Sequence, residues 1–247
     1  MELSESHYWG NLGYWNHTRH YPEAARALAL KVGHGAKLTE GASLLDLGSG
    51  YGAQLPLWAQ AFKVGSIATF EPDLEAQRSA QVYATHNGTP VSWLPEPTLP
   101  AESVDAILSV DAAYHFQDRP RLLTQLAAAL KPAGHLAWTD LLLDGEPAAR
   151  PHPIQRISSV FDIPSENLLT EERYRAMLES TGFTDIQIEN LSREVLGGFA
   201  QNWKDVLRQH QKRNDASWLK YRLTATAARL ALKYGTPQYV LVTASKA

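Results

Sequence analysis

Between Leu44 and Gly52 the chain reads Leu-Leu-Asp-Leu-Gly-Ser-Gly-Tyr-Gly, an apolar run broken by Asp46 and followed by glycine at every second position. Glycines there let the backbone turn sharply and let a ligand approach without a Cβ in its way. Further on, Ala68-Thr69-Phe70 leads into Glu71 and Pro72. A carboxylate in that place can accept hydrogen bonds from both hydroxyls of a ribose. The two segments are therefore expected to hold a small molecule. A second constellation points to acid–base chemistry. His115 lies in Asp111-Ala112-Ala113-Tyr114-His115, and Asp140 closes Trp138-Thr139-Asp140. An imidazole with a pKa near about 6.5, oriented by a carboxylate, can take a proton from an alcohol or phenol and contribute roughly 10²–10⁴-fold in rate. His115 and Asp140 are the expected general-base pair; the other readings of His115 are a bond to backbone that holds its loop, or orientation of a substrate.

These residues need elements to position them. Ser43–Leu47 has the short apolar character of a strand buried on both faces, and a helix through Leu55, Trp58, Ala59 and Phe62 follows. The alternation continues with strand Ser66–Phe70, helix Asp73–Thr85, and strands Val91–Leu94 and Val104–Val110. A helix capped by Asp118 runs through Leu122, Leu123, Leu126 and Leu130, and Lys131-Pro132-Ala133-Gly134 breaks it before strand Leu136–Leu142. An earlier helix spans Pro22 to about Lys37. Strands alternating with helices mean βαβ units and a parallel sheet covered on both faces, an α/β doubly wound fold. Its ligand crevice lies beyond the carboxyl ends of the strands.

The last third departs from this rhythm. Thr170 opens a helix, Thr184–Leu191 is strand-like, Gly197 to about Tyr234 is a long helical insertion, and Gln238–Ala244 is a β-branched strand expected to pair in a terminal hairpin. One domain is expected, with its core in about 38–143, 170–192 and 238–247 and a helical cap from 1–21, 144–169 and 193–237. Trp203, Trp218 and Tyr221 are the expected apolar lining of that cap. Lys204, Arg208, Lys212 and Arg213 read as its solvated face.

Composition narrows the classes. The 247 residues carry a net charge of −3, which argues against a nucleic-acid surface, and no cysteine, which removes thiolate zinc sites, disulfides and cysteine nucleophiles together. His17 and His20 have no carboxylate set around them to complete a metal site, so no metal is expected. No apolar run approaches the roughly 18 residues of a membrane span, and the start lacks a basic region followed by an apolar one. A cytoplasmic protein is expected.

Two ligands compete for the glycine turn. Gly48-x-Gly50-x-x-Ala53 satisfies the dinucleotide fingerprint, which would make the protein a nicotinamide- or flavin-dependent oxidoreductase. Asp46 discriminates. A carboxylate just ahead of the first glycine is a poor neighbour for a pyrophosphate but attracts a cationic amino-acid head group. S-adenosylmethionine carries an ammonium and a sulfonium and no phosphate, which favours it.

Asp46-x-Gly48-x-Gly50-x-Gly52, Glu71, the strand Ser103–Ser109 and Leu130-Lys131-Pro132-Ala133-Gly134 resemble the class I S-adenosylmethionine-dependent methyltransferases, closest to the branch acting on quinones, sterols and natural products. The resemblance implies a Rossmann-like seven-stranded sheet with an antiparallel last strand. It implies that Asp46, Gly48, Ser49, Gly50 and Gly52 cradle the methionine and ribose, that Glu71 holds the ribose, and that Pro72 packs on adenine. Glu96 stands where the family often has an acid on the adenine amino group, with a shifted register. Asp111 lies near the cofactor edge. Tyr14, in Gly10-Asn11-Leu12-Gly13-Tyr14-Trp15, is similar to a family tyrosine that closes on the methionine end. His115 and Asp140 resemble the His/Asp pair of some natural-product O-methyltransferases. The implied reaction is methyl transfer to a hydroxyl of a small-molecule acceptor, with nitrogen or carbon as alternatives. A non-enzymatic reading keeps the pocket for ligand sensing or subunit pairing.

Overall fold

The structure is a computed structural model that describes residues 8–145, 161–209 and 216–247, and their side chains except those of 207–209 and 216–218. Its strands are β1 (Ser43–Leu47), β2 (Ser66–Phe70), β3 (Ser92–Trp93), β4 (Val104–Ser109), β5 (Leu130–Leu143), β6 (Leu169–Thr170), β7 (Phe183–Asn190) and β8 (Gln238–Lys246). They lie in the order β3-β2-β1-β4-β5-β8-β7. Pairing is parallel from β3 to β5 and antiparallel where β8 meets β5 and β7. The chain therefore reverses its strand order beside β1 and β4, which opens the crevice above their carboxyl ends.

Seven helices flank the sheet among the described residues: α1 (Tyr21–Gly35), α2 (Gln54–Phe62), α3 (Leu74–His86), α4 (Arg119–Ala129), α5 (Glu171–Ser180), α6 (Gly198–Gln209) and α7 (Ala216–Tyr234). Because strand side chains alternate, consecutive residues of β1 serve opposite cores. Leu44 packs with Leu28, Val32 and Trp58 of α1 and α2. Leu45 and Leu47 pack with Leu122, Leu126 and Tyr174 of α4 and α5. Asp46 is thereby sent to the α2 face, which decides its surroundings.

The structure differs from the sequence expectation in four places. The Lys131-Pro132-Ala133-Gly134 turn lies inside β5, because Leu130 already pairs with Val104; the chain advances from Leu130 to His135 while its partner advances only from Val104 to Ala106, so the turn is a bulge. An additional short strand, β6, pairs with the end of β5 and makes the sheet eight-stranded. Asp118 sits at the start of α4 in a left-handed conformation, φ 45°, with no side-chain cap bond, whereas Asp73 does cap α3, accepting from the Glu75 and Ala76 amides at 2.8 and 3.0 Å. The helical insertion begins before Gly197, with a π-turn at Arg193–Gly197 that leads into α6, and α6 and α7 pack on each other through Trp203 and Tyr221. Among the described residues no helix is long and apolar enough to cross a membrane.

Candidate active site

The turn after β1 has positive φ at all three glycines, 77° at Gly48, 54° at Gly50 and 92° at Gly52. Their surroundings differ. A Cβ on Gly48 would collide with the Cβ of Ala112, and one on Gly52 would lie 2.7 Å from that of Ala80. These two glycines are required by the packing of the chain on itself. A Cβ on Gly50 meets nothing within 4 Å, so Gly50 faces open space. The buried Ser49 Oγ beside it has no hydrogen-bond partner among the described residues.

Glu71 completes this cradle. Its Oε2 accepts the Gly50 amide at 2.7 Å and its Oε1 accepts the Asp73 amide at 3.0 Å. A carboxylate has about four lone-pair sites, so capacity for a diol remains. Open space at Gly50, an unpartnered Ser49 hydroxyl and a half-buried acid with spare acceptors fit a ligand bearing ribose hydroxyls. Pro72 is exposed next to Glu71. Glu96 is exposed in the turn after β3, its carbonyl accepting the Thr98 amide at 2.8 Å.

Asp46 differs from expectation. It is fully buried, and its carboxylate accepts from Gln54 Nε2 at 3.0 and 3.1 Å and from Trp58 Nε1 at 2.9 Å. Both donors stand on α2, so the carboxylate fastens that helix to β1 instead of presenting itself to a head group. Burial pushes its pKa up to about 6, against the pull of the Trp58 and Gln54 bonds, and Glu71 adds to the rise.

The amino-terminal segment straps across the strand ends. Tyr8 stacks on Tyr83 of α3 with centroids 4.0 Å apart, and its carbonyl accepts the Ala53 amide at 3.3 Å. Leu12 N donates to Asp111 Oδ2 at 2.6 Å. The Trp15 ring packs where a Cβ on Gly198 would stand. Tyr14, expected over the methionine end, is held against α1: its amide donates to the Ala24 carbonyl at 2.8 Å and the Lys31 ammonium lies 5.3 Å from its ring centre. Asp111 is the strap's anchor. With φ 57° after β4, it also accepts from Tyr239 Oη at 2.6 Å and donates its amide to Thr139 Oγ1 at 2.8 Å. Burial raises its pKa, opposed by the bonds from Tyr239 and Leu12 and by nearby His115.

His115 and Asp140 are not paired. Asp140 is fully buried on the α4–α5 side, in an ion pair with Arg119 (Nη1 to Oδ2 2.9 Å, Nη2 to Oδ1 3.1 Å), and it accepts from Tyr174 Oη at 2.6 Å. The alternation of β5 explains this, since Trp138, Asp140 and Leu142 share one face and that face is core. His115 is exposed, and its Nδ1 lies 3.1 Å from the carbonyl oxygen of Asp162. Asn167, buried, donates to the carbonyls of Tyr114 at 3.0 Å and Phe116 at 2.8 Å, pinning the loop on both sides of the histidine. Gly48 against Ala112 brings this loop to the glycine turn.

Trp203 of α6 stacks on Tyr221 of α7 with centroids 5.3 Å apart, and Leu12 and Trp15 of the strap pack with Trp203. Burial raises the Tyr221 phenol, and Tyr51 raises it further. The Trp218, Arg208, Lys212 and Arg213 side chains lie outside the described residues; Lys204 is exposed. Sequence reasoning missed Tyr8, Arg119, Tyr239 and Asn167. Arg119 alone left a signal, a cation in the first turn of a helix, where the macrodipole disfavours it unless an acid compensates.

Residues 14–188 match the family model of a methyltransferase domain. Erythromycin 3''-O-methyltransferase of Saccharopolyspora erythraea is 27% identical over 229 residues, covering 85% of this chain and 73% of that protein. 27-O-demethylrifamycin SV methyltransferase of Amycolatopsis mediterranei is 26% identical over 250 residues, 96% of this chain and 91% of that one. Among solved structures, a Galdieria sulphuraria protein ascribed sarcosine dimethylglycine methyltransferase activity superposes with a TM-score of 0.80 over 99% of both chains at 19% identity. The family match removes the nicotinamide-dependent alternative.

Proposed function

The chain belongs to the methyltransferase domain family and uses S-adenosylmethionine, and from that premise we propose that it methylates a hydroxyl oxygen of a small-molecule acceptor, with His115 as general base. When bound, the cofactor supplies an electrophilic methyl group and a thioether leaving group. Glu71 holds the ribose through its free lone pairs, and the room at Gly50 admits the nucleoside against the backbone. The strap and the aromatic cap exclude water and shape the acceptor site. His115 takes the hydroxyl proton as the oxygen–carbon bond forms, and passes it to solvent; alignment of donor and acceptor supplies the larger share of the rate.

The observation that carries this reading is the contact of the two loops, Gly48 against Ala112, with His115 exposed on the second of them. The relatives named erythromycin 3''-O-methyltransferase and 27-O-demethylrifamycin SV methyltransferase support oxygen as the acceptor atom. A panel of phenols, polyketide alcohols and deoxysugar glycosides incubated with S-adenosylmethionine tests it, with S-adenosylhomocysteine release as readout. His115→Ala is expected to lower kcat by roughly 10²–10⁴-fold on an alcohol acceptor while binding S-adenosylhomocysteine as the wild type does. Undiminished turnover in that variant overturns the base.

A further inference from the structure

We infer that the backbone carbonyl of Asp162 sets the tautomer of His115, holding the proton on Nδ1 and leaving Nε2 as the nitrogen that accepts the substrate proton. The inference rests on the His115 reading above and adds the residues that position it.

A carbonyl oxygen has no proton to give. The 3.1 Å approach of His115 Nδ1 to Asp162 O is therefore a hydrogen bond only when Nδ1 is the donor. In the neutral ring the lone pair then lies on Nε2, since the bond made by one nitrogen decides the state of the other. Free imidazole side chains in water favour the opposite arrangement, so the contact has a consequence that an unrestrained histidine would not show. It also does what Asp140 was expected to do. Asp140 has its oxygens committed to Arg119, Tyr174 and the Leu141 amide.

Two features of the 161–167 segment keep the carbonyl in place. Asp162 has φ 52°, a left-handed conformation that aspartate tolerates and β-branched residues resist. Asn167, at the end of the short turn Ser165–Asn167, bonds the carbonyls on both sides of His115. Segment and histidine loop are thus tied at three points, one of which is the imidazole itself. Asp162 and Asn167 are positioning residues. During transfer the hydroxyl proton moves to Nε2, the ring becomes the imidazolium, and the Nδ1–H bond to Asp162 strengthens because its donor is now charged.

The test is ¹⁵N–¹H correlation spectroscopy of uniformly labelled full-length protein at a pH where the ring is neutral, with the His115 signals identified by their loss in His115→Ala. The expected result is a pyrrole-type Nδ1 and a pyridine-type Nε2. The reverse assignment overturns the inference whatever the kinetics say. Conversely, a correct tautomer together with undiminished turnover in His115→Ala overturns the base and leaves the tautomer standing. Asp162→Gly, whose backbone reaches the same φ, is expected to keep the signature. Asp162→Ile is expected to lose it, and on an alcohol acceptor to lower kcat about tenfold, the scale of one hydrogen bond to a charged group, with KM little changed. Retention of the signature in Asp162→Ile also overturns the inference; if that variant does not fold, Asn167→Ala replaces it, with the same expected loss of signature.

Discussion

Glu71 Oε2 accepts the amide of Gly50 at 2.7 Å, so the acid that follows β2 and the turn that follows β1 form one unit. The bond orients the carboxylate and braces a backbone held at φ 54°. Glu71→Gln keeps the size but loses the charge that strengthens hydrogen bonds to a diol. A charge-assisted bond contributes about 1.5–3 kcal/mol, so the variant is expected to bind S-adenosylhomocysteine about 10–100-fold more weakly by calorimetry; its one amide oxygen can replace only one of the two carboxylate oxygens that accept the Gly50 and Asp73 amides, so some loss of thermal stability accompanies it. Wild-type affinity in this variant would remove Glu71 from the site.

Gly50 and Gly52 separate binding from folding. Alanine at Gly50 meets open space, and its positive φ costs about 1–2 kcal/mol. Alanine at Gly52 bears the same penalty and also strikes Ala80, with contacts of 2.7 and 2.8 Å to side chain and backbone. Gly50→Ala is expected to fold with a modest loss of stability and to lose most cofactor affinity. Gly52→Ala is expected to be the less stable of the two in urea titrations. Equal stabilities, or unimpaired binding by Gly50→Ala, would contradict this division.

The glycine turn was legible in the sequence because its signals are local: an apolar strand, glycines where φ must be positive, and an acid after the next strand. The sheet followed from the same alternation. Asp140 was misread because its partner is chosen by tertiary packing: the face of β5 it shares with Trp138 and Leu142 turns toward α4, where Arg119 waits. Asp46 likewise follows the alternation of β1 onto α2, and the donors it meets there, Gln54 and Trp58, lie in what reads as an ordinary apolar helix. The strap's latch, Leu12 to Asp111, spans most of the first half of the chain, a separation at which no local pattern operates.

Asp46 makes stability depend on pH. Its folded pKa of about 6 stands above the ordinary 3.8, so between these values the native state binds more protons than the unfolded chain. Stability contributed by this group is present below about pH 4 and is lost as pH rises to about 6. The full difference is on the order of 3 kcal/mol. Asp46→Asn removes the titration. The unfolding free energy of wild type minus that of Asp46→Asn, from urea curves at several pH values, is expected to fall across this interval and then level off. A difference that rises with pH would mean that the carboxylate is stabilised as the anion.

The Arg119–Asp140 pair is expected to act on the fold and not on the proton. Both side chains are buried, 2% and 0% exposed, so removing one partner strands the other's charge in the core. Breaking a buried pair costs about 3–5 kcal/mol. For a domain of this size, each kcal/mol lowers Tm by about 2–4 °C. Asp140→Ala is expected to melt about 6–20 °C lower, and Arg119→Met combined with Asp140→Leu to recover part of the loss, because no unpaired charge remains. Arg119 also donates to the Ala113 carbonyl at 3.1 Å, at the start of the turn that carries His115, so some loss of kcat accompanies the loss of stability. The decisive comparison is Asp140→Asn, assayed well below its Tm. A variant as stable as wild type whose turnover on an alcohol falls as far as that of His115→Ala would return Asp140 to the chemistry. Lower stability with most turnover retained fits an ion pair that holds α4 against β5.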